Sequence, residues 1–294
     1  MPRPLSIACL QTRPMPSIGQ AVDEAMPLAE QAVRAGAEFL FLPEYCGGLK
    51  SEGSALTPPH APEAEHLFLA AFQDFAAQKN IWIMIGSIAV SGRDGKIINR
   101  GYILDQQGNI QSRYDKIHLF DVQISPTEVY RESARVAAGN AMSLVQTPYA
   151  QLGHTICYDL RFPNLYRDLA QAGAEILCTP AAFTKKTGEA HWHILNRARA
   201  IENGCFMISA CAIGEIAGGG ASYGHSLVIN PWGEIIADGG DTPGVVFATI
   251  DLDEVAEARG RIPSLSHDRD YKITTVKERG VAWVQSHQFL ARPM

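Results

Sequence analysis

No stretch of this 294-residue chain approaches the ~18 consecutive apolar residues that a membrane-spanning helix needs. A charged segment leading into a long apolar one is also missing near Met1. Pro2 and Pro4 flank Arg3 and an apolar strand follows at once, so no signal peptide is expected. There is no excess of basic residues. The net charge is −6 and the isoelectric point about 5.8, which argues against nucleic acid or an anionic membrane as the main partner. The six cysteines (Cys9, Cys46, Cys157, Cys178, Cys205, Cys211) show neither CxxC spacing nor a disulfide framework. Scattered through apolar runs, most of them read as reduced core residues of a cytoplasmic protein. Disorder is excluded by the 46% hydrophobic content, which is ample for a buried core.

What is present is an alternation of short apolar strands and helices. A strand over 5–11 is followed by a helix that Ser17 can cap, with Val22, Met26, Ala29 and Val33 on one face. A second strand, 38–42, stops at Pro43 and Glu44, and a loop over 45–61 leads to a helix over 64–79. The almost wholly apolar 81–90 suits a strand covered on both faces, and two hairpin strands follow, ending at Asp115 and Lys116. Residues 121–140 lack periodicity and read as a long loop, a kind that is often functional. The strand–helix–strand pattern then recurs over 143–253, with helices at 164–172 and 189–203 and a glycine-rich surface loop at 214–220. Two such units with several hairpins predict an α/β fold: a four-layer α-β-β-α sandwich of two mixed sheets with helices outside. One doubly wound sheet is the competing picture. No composition break marks a linker.

Three residues stand at strand ends where chemistry is available. Cys157 closes an apolar strand and is followed by Pro163 and a helical pattern. A thiol in a strand-to-helix turn sits where backbone N–H groups can face a reacting oxygen. It is a good nucleophile only as thiolate or with a base at hand. Glu44 ends another apolar strand; a carboxylate there is partly desolvated and becomes a usable base near neutral pH. Lys116 ends a third, and a buried ammonium stabilises a developing oxyanion. Each has a plainer reading: a core thiol, a solvated carboxylate, a lysine paired with Asp115. Tyr158, Asp159 and Arg161 after the cysteine weigh against the first, because such groups are costly at a buried strand end unless paired.

Other candidates are weaker. His154 lies three residues before Cys157 on the same strand, so the pleat turns it to the opposite face and a Cys–His pair is disfavoured. His191 and His193, two apart on a helix, face different sides and are poorly arranged for one metal. Arg199 and Glu202 are spaced for i,i+3 pairing. Gly218 to Gly220 have no following lysine and no strand–turn–helix context, so they do not form a phosphate loop.

Taken in order, several motifs resemble the nitrilase superfamily of carbon–nitrogen hydrolases. Phe41-Leu42-Pro43-Glu44, Tyr114-Asp115-Lys116-Ile117-His118-Leu119 and Cys157-Tyr158-Asp159-Leu160-Arg161-Phe162-Pro163 are similar to its glutamate, lysine and cysteine motifs. Later blocks around Arg197 to Asn203 and Gly224 to Gly233 add to the likeness, which extends to about residue 270. Phe183, Thr187, Gly188, His191 and Trp192 are most like the deaminated glutathione amidase and omega-amidase branch. The resemblance implies one carbon–nitrogen hydrolase domain over 1–270, with 271–294 as a tail that can reach a neighbouring subunit. It implies a Glu44–Lys116–Cys157 triad, Glu132 as a second glutamate, and Tyr158, Arg161, Phe183 and Thr187 as substrate-binding residues. It further implies a small carboxylate-bearing amide as substrate, a homo-oligomer (dimer or larger), and no metal or organic cofactor. A nitrilase, an N-carbamoyl amino acid amidohydrolase and a non-catalytic binding protein on the same fold are the alternatives.

Overall fold

The structure, a computed structural model, describes residues 2–272 and 274, apart from 54, 93 and 127. The tail expected over 271–294 therefore lies almost wholly outside the described residues. Two six-stranded sheets dominate. The first is built from β1 (Pro4–Gln11), β2 (Phe39–Phe41), β3 (Trp82–Ser91), β4 (Ile97–Leu104) and β5 (Ile110–Asp115). The second uses β6 (Ser143–Gln146), β7 (Gln151–His154), β8 (Ile176–Cys178), β9 (Phe206–Ser209), β10 (Leu227–Ile229) and β11 (Ile235–Asp238). The final strand, β12 (Gly244–Asp251), returns to the first sheet and pairs antiparallel with β1 along its whole length. Both sheets are mixed: β1, β2 and β3 run parallel, as do β7, β8 and β9, with antiparallel hairpins at the flanks. This is the expected sandwich, not the single doubly wound sheet.

Strand alternation explains why the layers form. Leu5, Ile7 and Cys9 of β1, with Phe39 and Phe41 of β2, point between the sheets, where they meet Leu152, Ile176, Cys178, Phe206 and Ile208. The intervening Ala8, Leu10 and Leu40 point outward against helices α1 (Ile18–Arg34) and α2 (Leu67–Lys79). On the far side Leu177, Met207 and Leu227 meet α3 (Pro163–Gln171) and α4 (Lys185–Asn203). A short α5 (Asp253–Arg261) follows β12. Ser17 caps α1 as expected, its hydroxyl accepting from Gln20 N at 3.4 Å. The fully buried stripe of α1 is one residue round from the expected face: Ala21, Ala25, Ala29 and Ala32 lie innermost, with Val22, Met26 and Val33 only partly buried. Small side chains let the helix axis approach the sheet, and the larger ones fill the flanks.

Three stretches read as irregular carry structure. Within 121–140, Asp121–Ser125 and Glu128–Arg131 form a two-stranded ribbon that runs into a 3₁₀ turn, Glu132–Ala134. The glycine-rich loop is the tip of a second ribbon, Ile213–Glu215 with Ala221–Tyr223. Helix α4 begins four residues before the expected start at 189. Among the described residues no helix is long and apolar enough to cross a membrane.

Gly86 shows how closely the sheets approach beside the future site. It lies where the β3–β4 register shifts, between Ile85 and Ile88. A Cβ there would overlap the carbonyl oxygens of Leu42 and Pro43 and the ring of Pro180. Two of these are backbone atoms and cannot swing away. Gly86→Ala is expected to lower stability by about 3 kcal/mol, the upper end for overpacking. A fall in the thermal unfolding midpoint measures it.

Candidate active site

Strand direction brings three of the expected residues to one end of the sandwich. β2, β5 and β7 each deliver their C-terminal end there, with Glu44, Lys116 and Cys157 one to three residues beyond. The carboxyl ends of such strands are where α/β sheets place their ligands, because the chain must turn there and backbone groups become free. Glu132 enters from the 3₁₀ turn after the first ribbon. All four are buried, with 2–9% of their surfaces exposed.

The ammonium of Lys116 is the hub. Its Nζ donates to Glu44 Oε1 at 2.8 Å and to Glu132 Oε2 at 2.9 Å. Asn99, on β4, donates from Nδ2 to Glu44 Oε1 at 2.9 Å and to Glu132 Oε1 at 3.4 Å. Tyr45 Oη donates to Glu132 Oε1 at 3.2 Å, and the Phe120 N–H to Glu132 Oε2 at 2.6 Å. The other oxygen of Glu44 accepts from the Ala182 N–H at 2.9 Å. Burial by itself would depress the lysine's pKa, but the charges of Glu132 and Glu44 outweigh it and hold the ammonium well above its ordinary value. The plainer reading of Lys116 as a partner of Asp115 is thereby corrected. Asp115 instead binds Arg100, whose Nε is 2.5 Å from Oδ1, because the pleat sends 115 and 116 to opposite faces.

Cys157 sits at φ +48°, left-handed backbone that a non-glycine residue adopts at some cost. Its N–H donates to the Pro180 carbonyl at 2.9 Å. Two residues on, the fully buried carboxylate of Asp159 holds the turn. It accepts from the Ile156 N–H (2.8 Å), the Tyr114 hydroxyl (2.7 Å) and the His118 N–H (3.1 Å), and lies 2.7 Å from His118 Nδ1. Tyr114 and His118 flank Lys116 in sequence. The strand-end lysine and the strand-end cysteine are thus tied together through Asp159, which explains the polar residues after the cysteine. Burial pushes the Cys157 thiol well above its ordinary pKa, and the negative charge of Glu44 adds to the rise against the opposing pull of Lys116. His154, as the pleat requires, turns away: its Nε2 lies 3.4 Å from the Gly86 carbonyl oxygen.

Glu44, Lys116, Glu132 and Cys157 open onto a cavity of about 420 Å³. Of the expected substrate residues, Tyr158, Phe183 and Thr187 line it. Arg161 does not. Its guanidinium lies 5.7 Å over the Phe183 ring and 3.2 Å from His191 Nδ1, so the expected carboxylate clamp is not formed in this arrangement. Sequence reasoning passed over Asn99 and Tyr45, which orient the carboxylates, and also Phe120, Glu128, Tyr130 and Thr184 on the lining. Gly219 and Gly220 line the cavity as well, so the glycine-rich loop is a wall of the site. The one available signal was the unusual length of 121–140. Nothing local in the sequence marks the others.

The sequence pattern of the carbon–nitrogen hydrolase family matches residues 6–260. A deaminated glutathione amidase of Synechocystis sp. is 39% identical over 270 residues, covering 90% of this chain and 98% of its own. The protein of that name from Rattus norvegicus is 37% identical over 271 residues, 90% of this chain and 82% of its own. The crystal structure of the C. elegans NitFhit protein matches with a TM-score of 0.83 at 33% identity, over 90% of this chain and 65% of that one. The chain therefore spans just under two thirds of NitFhit. Saccharomyces cerevisiae Nit3, described as a member of branch 10 of the nitrilase superfamily, matches with a TM-score of 0.78 at 26% identity, over 89% and 95% of the two chains.

The raised thiol pKa has a spectroscopic consequence. Because burial and the charge of Glu44 disfavour the thiolate, the wild type minus Cys157→Ala difference spectrum at pH 7 is expected to show no thiolate absorbance in the far ultraviolet. A thiolate band at neutral pH would contradict the electrostatics described above.

Proposed function

From a chain that belongs to the carbon–nitrogen hydrolase family and hydrolyses amides, we infer a small carboxylate-bearing amide as substrate and a thioester on Cys157 as intermediate. The observation that carries this reading is that the buried Cys157 thiol, the Glu44 carboxylate and the Lys116 ammonium 2.8 Å from that carboxylate all open to one cavity. Glu44 takes the thiol proton as sulfur attacks the amide carbonyl. A thiol of raised pKa needs this proton transfer during attack, because the free thiolate is scarce. The oxyanion is held by Lys116 and the backbone N–H of Tyr158, each such donor being worth about 3 kcal/mol in the transition state. Protonated Glu44 then gives its proton to the leaving nitrogen. Ammonia departs from a primary amide and an amine from a substituted one, and sulfur keeps the acyl group. Glu44 next takes a proton from water, whose oxygen attacks the thioester, and the acid leaves as the thiol is restored. Glu132 holds Lys116 through both steps, so the ammonium does not follow the moving proton.

Substrate class rests on the lining and on the relatives. Thr184 and Thr187 stand at the start of α4, their hydroxyls 2.7 Å apart and both on the cavity. Two hydroxyls at the positive end of a 19-residue helix suit a carboxylate. Arg161 would have to leave His191 and the Phe183 ring to join them. The relatives' name supports deaminated glutathione or an omega-amide of a 2-oxo acid. A homo-oligomer belongs to the same reading, since Ile194, Ile201 and Trp232 are each at least half exposed and a second copy would cover them.

Cys157→Ala is expected to abolish ammonia release while the circular dichroism spectrum is unchanged, and a slow substrate is expected to leave an acyl adduct on Cys157 by mass spectrometry. An adduct on another cysteine overturns the assignment. A panel of amides, nitriles and N-carbamoyl amino acids separates the rival chemistries. Thr187→Val is expected to raise KM for an acidic amide roughly tenfold with kcat little changed, the loss of one charge-assisted hydrogen bond; steady-state kinetics against a neutral amide of the same length checks it.

A further inference from the structure

We propose that His193, His225 and Asp238 form a binding site for one divalent transition-metal ion of the zinc class, outside the catalytic cavity. His193 lies on α4, His225 in the turn between the second ribbon and β10, and Asp238 at the end of β11. Their ligand atoms all lie within 4.8 Å of one another. The two imidazoles converge on one carboxylate, one on each oxygen. His193 Nε2 is 2.9 Å from Oδ2, and His225 Nδ1 is 2.9 Å from Oδ1.

The cluster is held in place from behind. The Gly240 N–H donates to Asp238 Oδ1 at 2.9 Å, and the His225 N–H donates to the Gly240 carbonyl at 2.8 Å. His225 has φ +53°, left-handed backbone in a residue without glycine's freedom. The Tyr223 ring stacks on His225, centroids 4.6 Å apart, and meets His193 edge-on at 6.1 Å. These contacts limit rotation of both imidazoles. Each of the three side chains is about a quarter to a third exposed, so an ion can reach the cluster from solvent. His191, two residues along α4, takes no part and contacts Arg161 instead.

The chemistry balances without an outside reagent. Zinc takes imidazole nitrogen and carboxylate oxygen at about 2.0–2.2 Å in tetrahedral sites. Ligand atoms then stand roughly 3.4 Å apart, so the two nitrogens and one carboxylate oxygen, which now lie within 4.8 Å of one another, adjust by about an ångström around the ion. Each imidazole moves its proton from the nitrogen facing the carboxylate to its other nitrogen, and the lone pair released binds the metal. Two neutral imidazoles and one carboxylate leave the ion a net positive charge, and water takes the fourth position. The ion would join α4, with Thr184 as its N-cap and Thr187 in its first turn, to the ribbon that brings Ala221 to the cavity wall. It is a staple across the wall of the site and takes no part in the reaction.

The test uses the full chain with Cys157 alkylated, so that the thiol cannot take the metal. Equilibrium dialysis is expected to find one Zn²⁺ per chain, Co²⁺ to give a visible d–d absorption band, and Zn²⁺ to raise the thermal midpoint. His193→Ala, His225→Asn and Asp238→Asn are each expected to weaken binding at least tenfold and to remove the Co²⁺ band and the thermal shift. Asparagine is chosen at 225 because it tolerates left-handed backbone. Metal-free melts of the variants report whether the fold is kept. Absence of a bound equivalent in the alkylated parent, or binding that survives all three substitutions, overturns the proposal.

Discussion

An ammonium buried between two carboxylates organises this molecule. Lys116 has almost no contact with water, and a lone charge in that position would cost several kcal/mol. Glu44 and Glu132 offset that cost, and they are themselves held by Asn99, Tyr45, Phe120 and Ala182. The donors come from β4, from the turns after β2 and β8, and from the loop before the first ribbon. Each of them supplies a donor to one of the two buried carboxylates, so the turns around the site are constrained together. The thiol is placed against this network from the other sheet, and Asp159 joins the two.

The network also decides how the cysteine can react. A nucleophile of the ion-pair type would sit as thiolate beside a cation. Here the cation is already matched by two carboxylates, and the charge of Glu44 works against a thiolate at Cys157. In the proposed mechanism proton transfer therefore accompanies attack. Glu132 would keep Lys116 charged there while Glu44 changes protonation state, so that one base serves both halves of the hydrolysis. The cavity beyond it is bounded by the two ribbons and the first turn of α4, elements in which side-chain changes alter the pocket without disturbing the sheets.

Periodicity and strand-end punctuation carried a large share of the fold in the sequence. The apolar runs at 5–11, 38–42 and 81–90 became buried strands because a segment covered on both faces has few alternatives. The stretch 121–140 was not legible, since a ribbon with one face on a cavity and one in water has neither continuous nor cleanly alternating apolar residues. Glu44, Lys116 and Cys157 were visible because each stands just beyond the end of a strand. Asn99 was not, being one polar residue inside a hairpin strand whose need for a partner arises only from Glu44 and Glu132.

By itself, then, the sequence determined which segments are strands, where they end, and which chemical groups stand at those ends. That information is local and is set by side-chain period, proline and glycine. The tertiary structure decided which ends meet. Parallel pairing in the sheet centres and two antiparallel steps from β3 through β4 to β5 put three strand termini on one side, the inter-sheet core set their separation, and the pleat turned Asp115 toward Arg100 while Lys116 faced inward. It also left Arg161 on His191 rather than in the cavity, and gathered His193, His225 and Asp238 from positions up to 45 residues apart. Contacts of that kind depend on distances in space, which no spacing along the chain records.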